Sequence, residues 1–215
     1  MLKQNISPFH IRSVEFSDMD QLLELEKEWP VDARASAETL KMRIDKFQQG
    51  FFIAEDETGI IASIICHPYH YMPGDVANFK NWEAVVRHCY HSMSSETGAN
   101  ALYIISGTTK PTQHVSELFN GGVNHVVELG KKLGKQYVIG GCLLPGYSRY
   151  IEKHENISAS DYVFKQSQGR CVDPLIEKYR RLGFHVPDKN HVIADYFPHG
   201  PSLNYSALVV KKLGA

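Results

Sequence analysis

Tyr179 stands one turn ahead of Gly183 and Phe184 in "DPLIEKYRRLGFHV" (residues 173–186), where an amphipathic helical pattern stops on a glycine and runs into a strand. A phenol with a reference pKa of about 10 stays protonated at neutral pH and can deliver a proton to a thiolate as that anion forms. A tyrosine on such a helix is more often a core or boundary residue, so both roles stand open. A second feature is the glycine pair of "FNGGVN", Gly121 and Gly122, at the opening of a helical run. Glycines there let backbone N–H groups approach an anion at the positive end of a helix, and they equally let a helix pack tightly on a sheet. A third is "QYVIGGCLLPGY", in which Gly140, Gly141 and Pro145 suit a strand that loosens from its neighbour and offers backbone groups to a ligand. A plain edge or bulge would use the same residues. Cys66, His67, His70, Cys89 and His91 in "CHPYHY" and "HCYH" have metal-ligand chemistry, but their spacings match no zinc motif and no metal is expected.

The elements that must position these groups follow from periodicity. "FHIRSVEF" alternates as a strand and meets "SDMDQLLELEKEW", where Ser17 or Asp18 can cap a helix that buries Met19, Leu22, Leu23 and Leu25. Ser36 can cap a second helix in "SAETLKMRIDKFQQ", with Leu40, Ile44 and Phe47 on one face and Gly50 as its stop. "FFIAEDETGIIASIICHPY" reads as a hairpin about "DETG". One helix is expected near "NWEAVVRHCYHSM". A strand in "ANALYIISGTT", a long helix through "VNHVVELGKKLG" and a strand in "QYVIGGCLL" then make a crossover unit. Val115, Leu118, Gly122, Val126, Leu129 and Leu133 recur at steps of three and four, as a helix on a sheet requires. After Gly169 the helix of "VDPLIEKYRRLGF" feeds closing strands in "HVIADYF" and "SLNYSALVV". Hairpins followed by a crossover predict a mixed α/β sheet, not a doubly wound one.

Length and charge bound the rest. The 215 residues suit one domain with insertions, and 43% apolar with 22% charged residues is ordinary globular composition. A formal charge of -1 leaves no excess field for a phosphate backbone or an anionic membrane, so neither nucleic acid nor membrane is an expected partner. Four scattered cysteines read as reduced thiols. The start "MLKQNISPFHIRS" lacks the apolar core of a signal peptide, and no run approaches the roughly 18 apolar residues that span a bilayer. A cytoplasmic protein is the expectation. "SLNYSALVV" could pair at a sheet edge, which would make a homodimer.

In element order and length the chain resembles the GNAT superfamily of acyl-CoA-dependent N-acyltransferases over nearly its whole length. "YRRLGF" matches that family's tyrosine-three-residues-Gly-Phe signature. "TKP" followed by "FNGGVN" stands where the family carries its Val-x-Pro strand end and its pyrophosphate loop, Arg/Gln-x-x-Gly-x-Gly/Ala. Phe119 departs from the loop's arginine or glutamine, and Asn124 from its last position. The resemblance implies an α/β (α+β) GNAT-type fold in a single domain, 1–215, with insertions near 69–98 and 147–169. Its mostly antiparallel twisted sheet would hold one splayed parallel pair. Acetyl-CoA or another acyl-CoA would be the co-substrate, with pantetheine between the splayed strands. The backbone of Asn120, Gly121, Gly122, Val123 and Asn124 would meet the pyrophosphate, and Thr109 would also touch the cofactor. Tyr179 would lie near the thioester sulfur and protonate the departing thiolate. The implied reaction is transfer of an acetyl or other short acyl group to an amine, probed through a small-molecule acceptor.

"LLPGYSRY", the polar stretch "IEKHENISASDYVFKQSQGR" and "DPLIEKYRRLGF" together look like the branch that includes nitrilase-associated GNAT domains and the GNAT-like loading domains of polyketide synthases. The latter decarboxylate malonyl-CoA and pass the acetyl group to a carrier protein. By that resemblance Thr109 and His154 are catalytic candidates and Arg170 a substrate-binding one. A neutral imidazole and a hydroxyl can polarise a thioester carbonyl, and a guanidinium can grip a carboxylate with two parallel hydrogen bonds. His154 in "EKHEN" and Arg170 are also ordinary surface residues by type, and Thr109 an ordinary turn cap. A third reading, motivated by the altered residues from Phe119 to Asn124, is an inactive CoA-binding or interaction module.

Overall fold

The computed structural model describes residues 8–74, 76–91, 98–154 and 157–214. Seven strands form a mixed, mostly antiparallel sheet in the order β1-β2-β3-β4-β5-β9-β8. The chain divides into two compact units, one of residues 1–67 with 106–129 and the other of 68–105 with 130–215.

The first unit begins with β1 (His10–Ser13) and α1 (Met19–Leu25), then α2 (Ala37–Phe47) and the hairpin of β2 (Phe51–Asp56) and β3 (Gly59–Tyr69). β1 pairs antiparallel with β2, and β2 with β3. Arg12 fixes the entry of α1, since its guanidinium donates to both oxygens of Asp18 at 2.8 Å and also to Glu55 of β2. Ser36 caps α2 as expected, its hydroxyl accepting from Thr39 N–H at 3.2 Å. Leu40, Ile44 and Phe47 are buried on one face of that helix. The same unit holds the end of β4 (Ala101–Thr109) and most of α4 (Val115–Lys132).

The second unit contains α3 (Trp82–His91), the start of β4, and β5 (Tyr137–Leu143). These are followed by α5 (Tyr147–Lys153), α6 (Ala159–Phe164), the hairpin of β6 (Gln166–Ser167) with β7 (Arg170–Cys171), α7 (Pro174–Arg181), β8 (Val192–Ile193) and β9 (Ser206–Lys212). The expected continuation of α3 through Ser92 and Met93 lies outside the described residues. β4 and β5 are the parallel pair, and β5 pairs antiparallel with the whole of β9. The rings of Tyr69, Phe79 and Tyr103 meet in tilted pairs at 5.4–6.3 Å.

Three elements differ from the sequence expectation. The polar stretch after β5 folds into α5 and α6, which bury Tyr147, Ala159, Tyr162 and Val163. "HVIADYF" shortens to the two residues of β8, because Asp195 takes a left-handed backbone (φ 51°) and Tyr196 turns into the core. β9 is no sheet edge, since β5 lies along one side and β8 with His185 pairs on the other.

Candidate active site

The β4/β5 ladder is the local feature on which a ligand reading turns. It runs from Ala101↔Tyr137 to Ile104↔Gly140 and stops there, although β5 continues to Leu143. Among the described residues the last three residues of β5 have a ladder partner in β9 and none in β4. Beside them stand two buried phenols. Tyr196 packs against Gly141 so closely that a Cβ at that position would lie 2.5 Å from the ring. Its hydroxyl is hydrogen-bonded to that of Tyr103. Only glycine leaves room for this ring, which gives Gly141 a packing reason to be there.

Tyr179 lies on α7, and local chemistry explains its placement. Asp173 caps α7 by accepting from Leu175 and Ile176 N–H at 2.9 and 3.2 Å, and Pro174 occupies the first turn, where its missing N–H costs nothing. Gly183 ends the helix with φ 81°, and Phe184 folds back so that its ring meets Tyr179 edge-on at 5.2 Å. The other Asp173 oxygen accepts from Gly146 N–H and from the Tyr162 hydroxyl, both at 3.1 Å. One fully buried carboxylate therefore joins the start of the tyrosine helix to the exit of β5. Burial, with the Cys142 thiol of β5 beside it, holds the Tyr179 phenol well above its ordinary pKa. It is a protonated, water-poor hydroxyl at neutral pH.

The exit of β5 carries a second polar group that sequence reasoning did not single out. Leu144 N–H donates to Ser202 Oγ at 2.9 Å, and Ser202 Oγ lies 2.6 Å from His199 Nδ1. The sequence "HGPS" shows only a turn, because the third member of this chain lies 58 residues away.

The other sequence candidates fall in different surroundings. His154 is exposed at the end of α5, stacked on Tyr150 at 4.3 Å, with its Nδ1–H donating to Tyr150 O at 3.0 Å. Arg170 is exposed in β7. Thr109 is half-buried at the end of β4, and its neighbour Thr108 is the buried hydroxyl that accepts from the Trp29 indole at 2.7 Å. Residues 120–124 are not a loop but the second and third turns of α4, so their N–H groups belong to the helix ladder. The pair packs instead, with Cβ positions that would meet Ile11 Cδ1 at 2.7 Å (Gly121) and Ile64 Cγ2 at 3.2 Å (Gly122). Val123 is fully buried, whereas Asn120 and Asn124 are exposed. The helix ladder of α4 is already under way before the glycine pair, since Leu118 N–H bonds His114 O at 2.9 Å.

Arg43 is the remaining surprise. It shares the core-facing stripe of α2 with Leu40, Ile44 and Phe47, is only 5% exposed, and its Nε has no hydrogen-bond partner among the described residues. The two buried acids of that unit are engaged elsewhere, Asp18 with Arg12 and Glu26 with Ala35 N–H at 2.7 Å. Among the described residues no three His, Cys, Asp or Glu side chains gather as a metal site, and no helix is long and apolar enough to cross a membrane.

Neither a protein-family model nor a characterised protein sequence matches the chain. Solved structures do. The loading GNATL domain of CurA from Lyngbya majuscula matches with a TM-score of 0.74 at 19% identity, over 95% of this chain and 97% of that one. The GphF GNAT-like decarboxylase in complex with isobutyryl-CoA matches with a TM-score of 0.75 at 22% identity, over 95% of this chain and 100% of that one. The ribosomal-protein-S18-alanine N-acetyltransferase from Escherichia coli matches with a TM-score of 0.57 at 10% identity, over 96% and 95%. The chain has the GNAT fold.

Proposed function

We propose that this protein is an acyl-CoA-dependent acyltransferase that decarboxylates a malonyl-type donor and passes the remaining acyl group to a carrier-protein thiol. The observation that carries the reading is the end-to-end likeness to a loading GNATL domain and a GNAT-like decarboxylase at TM-scores of 0.74 and 0.75, against 0.57 for an amine-directed enzyme. Arg43 is buried and its Nε has no hydrogen-bond partner among the described residues, which supports a donor that brings its own carboxylate. Arg170 stays as a second proposal for that carboxylate.

In this reading the bond from the acyl α-carbon to the carboxyl carbon breaks, carbon dioxide leaves, and the electron pair forms an enolate that takes up a proton from water. The carrier thiol gives its proton to water and attacks the thioester carbonyl as the thiolate. The carbon–sulfur bond to CoA breaks, the departing thiolate takes the proton of the Tyr179 phenol, and the phenolate regains a proton from water. Burial keeps that phenol protonated at neutral pH, so it has a proton to give and is no base. Backbone groups at the free end of β5 would hold the pantetheine arm. Thr109 and His154 stay as proposals for polarising the thioester carbonyl.

The test is intact-mass analysis of the protein incubated with malonyl-CoA or acetyl-CoA, with a phosphopantetheinylated carrier protein or a panel of amines. Carbon dioxide release and an acetylated carrier are expected from malonyl-CoA, with Tyr179→Phe lowering transfer by roughly 100-fold. Acetylated amines from acetyl-CoA, with no carbon dioxide from malonyl-CoA, would establish the amine reading instead. Tight CoA binding without turnover would indicate an inactive module.

A further inference from the structure

Where β4 and β5 stop pairing, side chains from α3 and from the loop after β8 join the two strands again. Ile105, the first residue of β4 past the last ladder pair, is buried, and its carbonyl accepts the indole N–H of Trp82 at 2.8 Å. Asn81 caps α3 by accepting from Ala84 N–H at 2.8 Å, which puts Trp82 in the first turn, where a helix offers its backbone N–H no partner. That N–H donates instead to Tyr196 O at 2.8 Å. The Tyr196 ring lies against Gly141 of β5, and its hydroxyl bonds that of Tyr103, back on β4. Contacts therefore run from β4 through Trp82 and Tyr196 to β5 and return to β4, around the point where the strands part.

This bridge stands on the face away from Tyr179. Neighbouring residues of a strand aim at opposite faces, and on β5 the Cys142 thiol stands beside the Tyr179 phenol while Gly141 meets Tyr196. The indole N–H satisfies a carbonyl at a place where the ladder no longer pairs, a task that a small amide side chain could also perform. An indole adds a large, rigid apolar ring. The Trp82 ring is half-buried, and Phe197 meets it edge-on at 5.5 Å, so its plane is held from two sides, by the bond to Ile105 and by that ring.

We propose that Trp82 is a specificity-determining residue: its indole, with the Tyr196 ring, forms the wall at which the acyl group of the donor ends, and it limits that group to a few carbons. The proposal rests on the acyl-CoA reading above, in which the sulfur lies at Tyr179 and the arm runs along the free end of β5. An acyl group reaching between the strands from the Tyr179 face meets Trp82 on the other. Each methylene that an apolar pocket cannot take costs about 10-fold or more in discrimination. Trp82 thus sets the size of the group carried and leaves the proton chemistry to Tyr179.

The test is calorimetric binding of unreactive CoA thioethers, S-methyl-, S-butyl- and S-hexyl-CoA, to the full chain and to its Trp82→Ala and Trp82→Phe variants. The wild type should bind the S-hexyl compound at least about 10-fold more weakly than the S-methyl one. Trp82→Ala should raise the ratio of S-hexyl to S-methyl affinity by about 10-fold or more, and Trp82→Phe, which is smaller but keeps a ring beside Phe197, by a lesser factor. The phenylalanine variant decides the matter if the alanine variant does not fold. A wild type that binds all three compounds equally, or folded variants that keep or lower its ratio, overturn the proposal and leave the acyl-CoA reading standing. Failure of the wild type to bind any of the three sinks both.

Discussion

Asp173→Ala should be among the most damaging single changes in the second unit, and its cost can be worked from four hydrogen bonds. The carboxylate accepts from Leu175 and Ile176 N–H through one oxygen, and from Gly146 N–H and the Tyr162 hydroxyl through the other. Losing the helix cap costs about 1 kcal/mol. Leaving the Tyr162 hydroxyl without an acceptor costs about 1–3 kcal/mol, because that side chain is 1% exposed. Gly146 is only half-buried, so water can partly replace its acceptor. The sum is about 3 kcal/mol, or roughly 6–12 °C in Tm for a chain of this size. Asp173→Asn keeps one acceptor oxygen but turns an amide N–H toward Gly146 N–H, and should cost about 1–2 kcal/mol. Urea denaturation of the two variants checks the order. An alanine variant within 1 kcal/mol of wild type, or less harmful than asparagine, would refute the reasoning. The pH dependence adds a sign. Burial lifts the Asp173 carboxyl above its ordinary pKa, so the folded state binds more protons than the unfolded chain between the two values. Its contribution is therefore fully present below about pH 3.9 and is lost as pH rises through the folded pKa. The stability advantage of wild type over Asp173→Asn should narrow as pH rises out of the acid range.

Two further perturbations probe the packing beside β5 and the buried cation of α2. Gly141→Ala would place a Cβ 2.5 Å from the Tyr196 ring, which Tyr103 holds, and overpacking of that kind should cost about 1–3 kcal/mol in denaturation experiments. An unchanged midpoint would show that the ring moves aside freely. Arg43→Met should stabilise the free protein by about 1 kcal/mol by removing a buried Nε–H that has no partner among the described residues. The same variant should lose roughly tenfold or more of any preference for malonyl-CoA over acetyl-CoA in competition assays. Destabilisation with the preference intact would mean that Arg43 serves the fold alone.

How far these residues could be read in the sequence depended on how near their partners lie along the chain. The stops and caps of α2 and α7 were legible because Ser36 and Asp173 bond amides two or three residues on, and Gly183 ends α7 by its own backbone. The crossover from β4 through α4 to β5 was legible because an 18-residue helix repeats its apolar stripe several times. α5 and α6 span seven and six residues, too few turns for a stripe to stand out from polar neighbours, although Ser158 and Asp161 are a visible cap. The glycine pair of α4 misled for a related reason. Gly121 and Gly122 answer to Ile11 and Ile64, which no local window contains, so a packing requirement looked like a helix opening. His199 and Ser202 were hidden in the same way behind Leu144. Arg43 is different, because position 43 falls on the Leu40, Ile44 and Phe47 stripe by spacing alone. A cation at the centre of an apolar helix face is a contradiction within one element, visible before any fold is known. Its Nε has no partner among the described residues, and the proposed carboxylate-bearing donor would supply one.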